Sequence, residues 1–141
     1  MAVLWRYIRL DVHTAIAQMI DCKANSIQSR VALSPQTKLW ESPKPLALEN
    51  NGQPLPFELA YRTWGNLNAA CDNAILVVHA LSGSADLESW WPDLLGDGKP
   101  LNPNTDFVVC INLLGSCYGS SGPLSTEPGS DQLWQNRFPE I

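Results

Sequence analysis

The residues that could take part in chemistry are concentrated in one stretch, Asn73 to Gly83, which reads Asn-Ala-Ile-Leu-Val-Val-His-Ala-Leu-Ser-Gly. Ile75 to Val78 are consecutive β-favouring residues without alternation, which predicts a strand buried on both faces of a mostly parallel sheet. Because Ser82-Gly83-Ser84 interrupts that pattern, the backbone N–H groups of Ala80 to Gly83 are expected to lack ladder partners. Free amides at the carboxyl end of a buried strand suit an anion or an oxyanion.

A second candidate is Cys117, because Gly115-Ser-Cys-Tyr-Gly119 has the Gly-x-Cys-x-Gly spacing of a nucleophile elbow in a small cysteine hydrolase. An elbow must open a helix, and Gly119-Ser-Ser-Gly-Pro123 is a poor helix start. The base would have to be His13 or His79, and both precede the cysteine in the chain. We therefore keep the hydrolase as the less favoured hypothesis and expect a Gly-rich loop here.

The remaining polar residues do not predict a metal site. Asp86, Glu88, Asp93 and Asp97 lie close in sequence, but no histidine accompanies them, so a solvated helix face is the simpler interpretation. The cysteines have no C-x-x-C pair or metal-type spacing, which favours reduced thiols; they are Cys22, Cys71, Cys110 and Cys117.

The elements that must position these residues follow from the apolar pattern. In chain order we predict an amphipathic helix at Thr14–Ile20, a hairpin of Leu46–Leu48 and Phe57–Trp64 around Asn50-Asn51-Gly52, the strand at Ile75, a short helix at Glu88–Leu95 and a second buried strand at Phe107–Ile111. A Gly/Ser/Pro-rich segment follows from Asn112. Together these elements predict an α/β sheet that begins antiparallel.

Composition excludes several classes of function. The chain has 141 residues, of which 45% are hydrophobic and 16% charged, enough apolar material for a core. Its net charge of −5 comes with no basic block, so we expect neither a nucleic acid nor an anionic membrane as a partner. No run approaches the roughly 18 apolar residues of a membrane span, and polar residues near the N-terminus argue against a signal peptide. We expect a soluble, cytoplasmic protein.

Several motifs in combination resemble one family. They are Phe57-Glu-Leu-Ala-Tyr-Arg-Thr-Trp-Gly65, the stretch from Asn73 to Gly83, Trp90-Trp91, Gly98-Lys-Pro100 and Asn112-Leu-Leu-Gly-Ser-Cys-Tyr-Gly-Ser-Ser-Gly-Pro123. From about Leu46 to Ile141 the chain is similar to the N-terminal portion of homoserine O-acetyltransferases, which have the α/β-hydrolase fold. The resemblance implies an incomplete α/β-hydrolase domain at residues 41–141, with residues 1–40 an unassigned N-terminal extension.

The resemblance also implies an activity and a site. The activity is acyl transfer from acetyl-CoA to the hydroxyl of L-homoserine, a step in methionine biosynthesis, with small-molecule substrates and no cofactor. In this fold the oxyanion hole takes one N–H from a loop after an early strand. Carried over to this sequence, Leu81 would donate that N–H, and Ala80, Ser82 and Gly83 would line the acyl and substrate side. His79 would be structural, and a homodimer is the assembly that the resemblance allows.

The chain departs from the family in its catalytic residues. No Gly-x-Ser-x-Gly elbow occurs, and no histidine follows His79, so no catalytic residue is assigned here. The serine, aspartate and histidine that the resemblance implies would all belong to a more C-terminal part. We therefore expect a truncated acyltransferase that is inactive alone. A non-catalytic remnant or interaction fragment is the alternative.

Overall fold

The computed structural model describes residues 33–49 and 52–141. The predicted helix at Thr14–Ile20, together with His13 and Cys22, lies outside the described residues. The same holds for Asn50 and Asn51 of the predicted hairpin turn.

The described residues form one mixed sheet of four strands in the order β1-β2-β4-β3. The strands are β1 (Lys38–Glu41), β2 (Glu58–Trp64), β3 (Ala74–Val78) and β4 (Phe107–Ile111), with one helix, α1 (Leu87–Trp90), and a 3₁₀ turn at Gln135–Arg137. β2 pairs antiparallel with both β1 and β4, whereas β3 and β4 are parallel. The expected sheet that begins antiparallel and continues parallel is therefore present.

The first strand of the hairpin differs from the prediction. The partner of β2 is Lys38–Glu41, whereas Leu46 makes only an isolated bridge to Leu55. Prolines explain the difference, because they cannot donate to a ladder; they stand at Pro43 and Pro45 on one side and at Pro54 and Pro56 on the other. The ladder is thus reduced to one bridge near the turn and resumes beyond the prolines. As a result, β1 begins at Lys38, inside residues 1–40, which were expected to be an unassigned N-terminal extension.

Successive side chains of β2 and β4 point to opposite sides of the sheet, and each side has an apolar cluster. The buried residues of the first face are Trp40, Leu55, Phe57, Tyr61, Phe107 and Val109. Those of the second face, which carries α1, are Val77, Ala85, Leu87, Val108 and Cys110. β4 is consequently buried on both sides, as its unbroken apolar sequence predicts.

Strand β3 is confirmed in position, but its predicted burial on both faces is wrong. Val77 packs on the second face, whereas Leu76 and Val78 are 43% and 45% exposed. The register pairs Leu76 with Val109 and Val78 with Ile111, which places both side chains on the first face. None of the described residues that pack together on this face belongs to β3. β3 therefore forms an edge with one open side.

Helix α1 lies where a short helix was predicted but is shorter. It ends at Trp90, and Trp91 has left the helical region with φ −134° and ψ 52°. Trp91 precedes Pro92, and a residue before proline is disfavoured from the α conformation by the proline ring. Proline therefore ends the helix here, before the Leu95 end that the sequence predicted.

Candidate active-site loop

Two loops meet at one edge of the sheet. Because β3 and β4 are parallel, their carboxyl ends lie side by side. The chain continues from β3 into residues 79–86 and from β4 into residues 112–123. We call these segments the first loop and the second loop. Crevices outside the carboxyl ends of parallel strands are the usual ligand sites of α/β sheets.

The first loop contains a tight turn with free amides. The N–H of Gly83 donates to the carbonyl of Ala80 at 2.8 Å, which closes a β-turn with Leu81 and Ser82 at its centre. Within the described part of the chain, the N–H groups of Ala80, Leu81 and Ser82 have no hydrogen-bond partner. The Leu81 side chain is fully exposed. The turn thus offers unpaired donors at the predicted position, and the assignment of Leu81 as the oxyanion donor stays a prediction.

His79 is buried at the base of this turn, with 6% of its surface exposed. Its Nδ1 lies 2.8 Å from the Ala80 carbonyl oxygen, which can only accept, so Nδ1 carries the proton. Its Nε2 is buried without a partner among the described residues. The imidazole therefore fixes the carbonyl that closes the turn, in keeping with the structural role expected for it.

The second loop is tied to β2 by two serines. The Ser121 hydroxyl accepts the Glu58 N–H at 2.9 Å, and the Ser120 hydroxyl accepts the Ala60 N–H at 2.9 Å. The Ser121 N–H in turn donates to the Glu58 carbonyl at 2.9 Å. Because these bonds continue the pairing of β2 beyond the end of β4, the Gly-rich segment is anchored where it begins and where it returns.

Beside the first loop lies an ion cluster that the sequence analysis missed. Arg62, on β2, is 4% exposed and forms an ion pair with Asp86 and a second one with Glu88 at 2.9 Å. Trp64 donates to Glu88 at 3.0 Å, and the Arg62 guanidinium lies 4.8 Å from the Trp64 ring centroid. Asp86 and Glu88 thus pair with Arg62, while the Glu88 side chain stays 51% exposed, as expected for a solvated helix face. A charged residue on a strand covered on both faces was the signal, since buried arginines are nearly always paired.

Glu88 and Cys110 have shifted pKa values in this neighbourhood. The hydrogen bonds from Arg62, and then from Trp64, lower the pKa of Glu88. Burial raises the pKa of the Cys110 thiol to about 11, although the positive charge of Arg62 acts in the opposite direction. Cys110 is accordingly a neutral, buried thiol.

Cys117, the alternative nucleophile, lies exposed in the second loop. The residues after it form bends and turns up to the 3₁₀ turn at Gln135, so no helix opens at this cysteine. A nucleophile elbow needs a strand-to-helix turn. The geometry therefore gives the cysteine-hydrolase hypothesis no support.

Among residues 33–49 and 52–141, no group of three or more histidine, cysteine, aspartate or glutamate side chains could hold a metal ion. The helices in the same part of the chain are all too short or too polar to cross a membrane.

Comparison with known proteins gives a consistent picture. The homoserine O-acetyltransferase of Nostoc punctiforme is 46% identical over 109 residues, which are 77% of this chain and 31% of that protein. The crystal structure of the homoserine O-acetyltransferase from Bacillus anthracis superposes with a TM-score of 0.62 at 29% identity, over 73% of this chain and 31% of that one. Esterase E22 superposes with a TM-score of 0.63 at 23% identity, over 73% of this chain and 32% of that chain. No family model matches the sequence.

These matches confirm the predicted fold class, an α/β-hydrolase fold of which the four-stranded sheet is a part. The chain spans about a third of the length of the relatives it matches.

Proposed function

We propose, from the confirmed homology of this chain to the homoserine O-acetyltransferases, that its first loop forms the oxyanion side of an acyltransferase active site. The reaction would transfer an acetyl group from acetyl-CoA to the side-chain hydroxyl of L-homoserine. The observation that carries the proposal is the turn from Ala80 to Gly83, whose central amides are unpaired at the carboxyl edge of the parallel strands. The names of the relatives favour acetyl over succinyl as the acyl group.

In this proposal the Leu81 N–H donates to the oxyanion that forms when a nucleophile attacks the thioester carbonyl. A backbone donor suits this role because it is held by the turn and needs no reorganisation during the reaction. Ala80, Ser82 and Gly83 line the acyl and substrate side, and His79 holds the turn closed through the Ala80 carbonyl. The chemistry assigned to these residues is charge stabilisation and positioning only.

The nucleophile, base and orienting acid would come from outside the 141 residues, which contain no serine elbow. An oxyanion donor without a nucleophile has no covalent route to the acyl-enzyme. We therefore propose that residues 41–141 form the N-terminal part of the acyltransferase domain and are inactive alone. A non-catalytic interaction fragment is the alternative.

The experiment that tests this proposal is a chimera. Residues 41–141 replace the matching region of the Nostoc punctiforme enzyme, and homoserine-dependent release of CoA from acetyl-CoA is measured. We expect the chimera to be active and the 141-residue chain to give no release above the blank. A folded chimera without activity would favour the non-catalytic fragment. Release by the chain alone that disappears in Cys117→Ala would favour the cysteine hydrolase.

A further inference from the structure

Asn112 joins the two loops through its side-chain amide. It is the first residue after β4 and is 2% exposed. Its Oδ1 accepts the Ala85 N–H at 2.6 Å, and its Nδ2 donates to the Tyr118 carbonyl at 2.7 Å. Ala85 lies in the first loop and Tyr118 in the second, so one buried side chain satisfies a backbone group of each.

The backbone of Asn112 is itself fixed, which leaves the amide little freedom. Its N–H donates to the Ala60 carbonyl at 2.8 Å. Its carbonyl accepts the Ser120 hydroxyl at 2.5 Å, and that hydroxyl also accepts the Ala60 N–H. The position of the side chain is therefore set by β2, in the middle of the sheet.

The first loop is held at both ends and free between them. At its start, His79 and the Gly83 N–H both bind the Ala80 carbonyl. At its end, Ala85 is buried and bound to Asn112, while Leu81 at the turn is fully exposed. A loop fixed in this way presents the Leu81 N–H in one direction.

We propose that Asn112 is a positioning residue for the oxyanion turn and couples its placement to the second loop. This inference rests on the proposed function of the first loop. The role requires one acceptor and one donor on a short planar group, which asparagine supplies. A carboxylate at this position would accept from Ala85 but repel the Tyr118 carbonyl, and an aliphatic side chain of similar size would leave both groups buried and unpaired.

Hydrogen exchange of the full 141-residue chain, resolved by residue, tests whether the Asn112 side chain fixes both loops. The quantities are the protection factors of the Ala85 and Gly115 amides, each divided by that of the β4 amides. The Gly115 N–H, bonded to the Ser121 carbonyl at 2.8 Å, reports on the second loop. In Asn112→Leu we expect both ratios to fall about tenfold or more. The matched control is Val109→Ala, which weakens the first face of the sheet and should lower all amides together, leaving the ratios unchanged.

Asn112→Asp separates hydrogen bonding from packing. At about pH 8 the carboxylate should keep Ala85 protected and lose Gly115 protection, and at about pH 5 protonation of the buried acid should restore the donor to Tyr118 and with it the Gly115 ratio. The wild-type ratios, measured at both pH values, should not change. If Asn112→Leu retains the wild-type ratios, or if Asn112→Asp shows no dependence on pH, the side chain only fills space and the inference is wrong.

None of these measurements depends on homoserine or CoA. If the chimera is inactive but the 141-residue chain shows the exchange pattern described above, the proposed function is refuted and the positioning role of Asn112 stands. If the chimera is active but Asn112→Leu does not change exchange in the 141-residue chain, only the positioning role of Asn112 is refuted.

Discussion

Arg62 shows how a charged side chain can organise the surroundings of a loop. Burial of a guanidinium is costly unless its charge and its donors are paired. Asp86 and Glu88 pair the two terminal nitrogens of Arg62 from the start of α1, so the ion cluster fastens the helix to β2, whereas Nε has no partner among the described residues. Because the first loop ends in α1, the cluster also limits where that loop can lie. Arg62 precedes Asp86 and Glu88 by 24 and 26 positions, so the sequence alone did not indicate these two ion pairs.

The lowered pKa of Glu88 predicts how stability responds to acid. Its pKa in the folded chain lies below its usual value of 4.5, so the stabilisation is present above that pH and is lost as the pH falls through the folded pKa. We expect Glu88→Gln to lose stability at neutral pH and to show a shallower decline of Tm between about pH 5 and pH 3. Thermal unfolding across this range measures both effects.

Glu58 serves as a control because its pKa is shifted in the opposite direction from that of Glu88. Burial, and then the charge of Glu41, raise its pKa, so its ionised form is unfavourable in the folded chain. Glu58→Gln should therefore raise Tm at neutral pH and steepen the decline in acid. Equal slopes for the parent chain and Glu88→Gln would contradict the role given to the ion cluster.

The cysteines should differ in reactivity because the thiolate is the reacting species. Cys110 is buried with a pKa raised to about 11, whereas Cys117 is exposed. With iodoacetamide at about pH 8, we expect Cys117 to be alkylated and Cys110 to react only after denaturation. Peptide mapping of the labelled chain measures this. Rapid labelling of Cys110 in the folded chain would show that the second face of the sheet opens readily.

At the scale of elements, the sequence predicted the strands whose signal is local. β3 and β4 appear within one residue of their predicted bounds, because runs such as Phe107 to Ile111 have one stable arrangement in an α/β sheet. β1 was not predicted, since pairing across the prolines depends on a partner about twenty residues away. The break in pairing after β3 was predicted from Ser82-Gly83-Ser84, whereas the turn closed by the Gly83 N–H was not. Asn112 was missed because its role depends on two loops that meet only in the folded chain.

Gly65 ends β2 in a conformation that other residues adopt at a cost. Its φ is +75°, and a Cβ there would lie 2.1 Å from the Asp106 carbonyl oxygen. We expect Gly65→Ala to cost about 3 kcal/mol or more, because backbone strain and a clash with the main chain add together. Gly98→Ala is the matched control, since φ is +69° with nothing within 4 Å. It should cost only about 1 kcal/mol. Chemical denaturation measures both, and equal losses would show that the contact with Asp106 has no effect.

At the scale of the whole molecule, β3 is where the covered sheet stops. Among residues 33–49 and 52–141 it has one neighbouring strand, β4, and Leu76 and Val78 are exposed on the first face. β3 contains no charged residue and no proline that would oppose pairing with another chain, whereas the other edge strand, β1, carries Lys38 and Glu41. Full burial of each such side chain would contribute roughly 1.5–3 kcal/mol, which is large against the stability of a typical domain. We propose that this edge receives the next part of the domain in the complete enzyme.

The exposed edge predicts self-association of the isolated chain. Leu76→Lys should increase the fraction that stays monomeric, as measured by light scattering after size-exclusion chromatography, because a charge on an edge strand opposes pairing between copies. Leu124→Lys is the control, since Leu124 is equally exposed at 44% but lies outside the sheet. It should have little effect. In the chimera, Leu76→Lys should instead lower stability. A parent chain that is already monomeric at high concentration would show that this edge is covered.

The oxyanion role of the Leu81 amide is tested most directly by two substitutions in the active chimera. Leu81 is the second residue of the turn closed by Gly83 and Ala80, a position that proline favours, so Leu81→Pro removes the N–H and preserves the turn. We expect Leu81→Pro to lower the rate constant for acetyl transfer by about 10²–10³, the effect of one lost oxyanion donor. Leu81→Ala, which keeps the N–H, should stay within a few-fold of the parent. Equal losses in the two variants, or full activity in Leu81→Pro, would contradict the assignment.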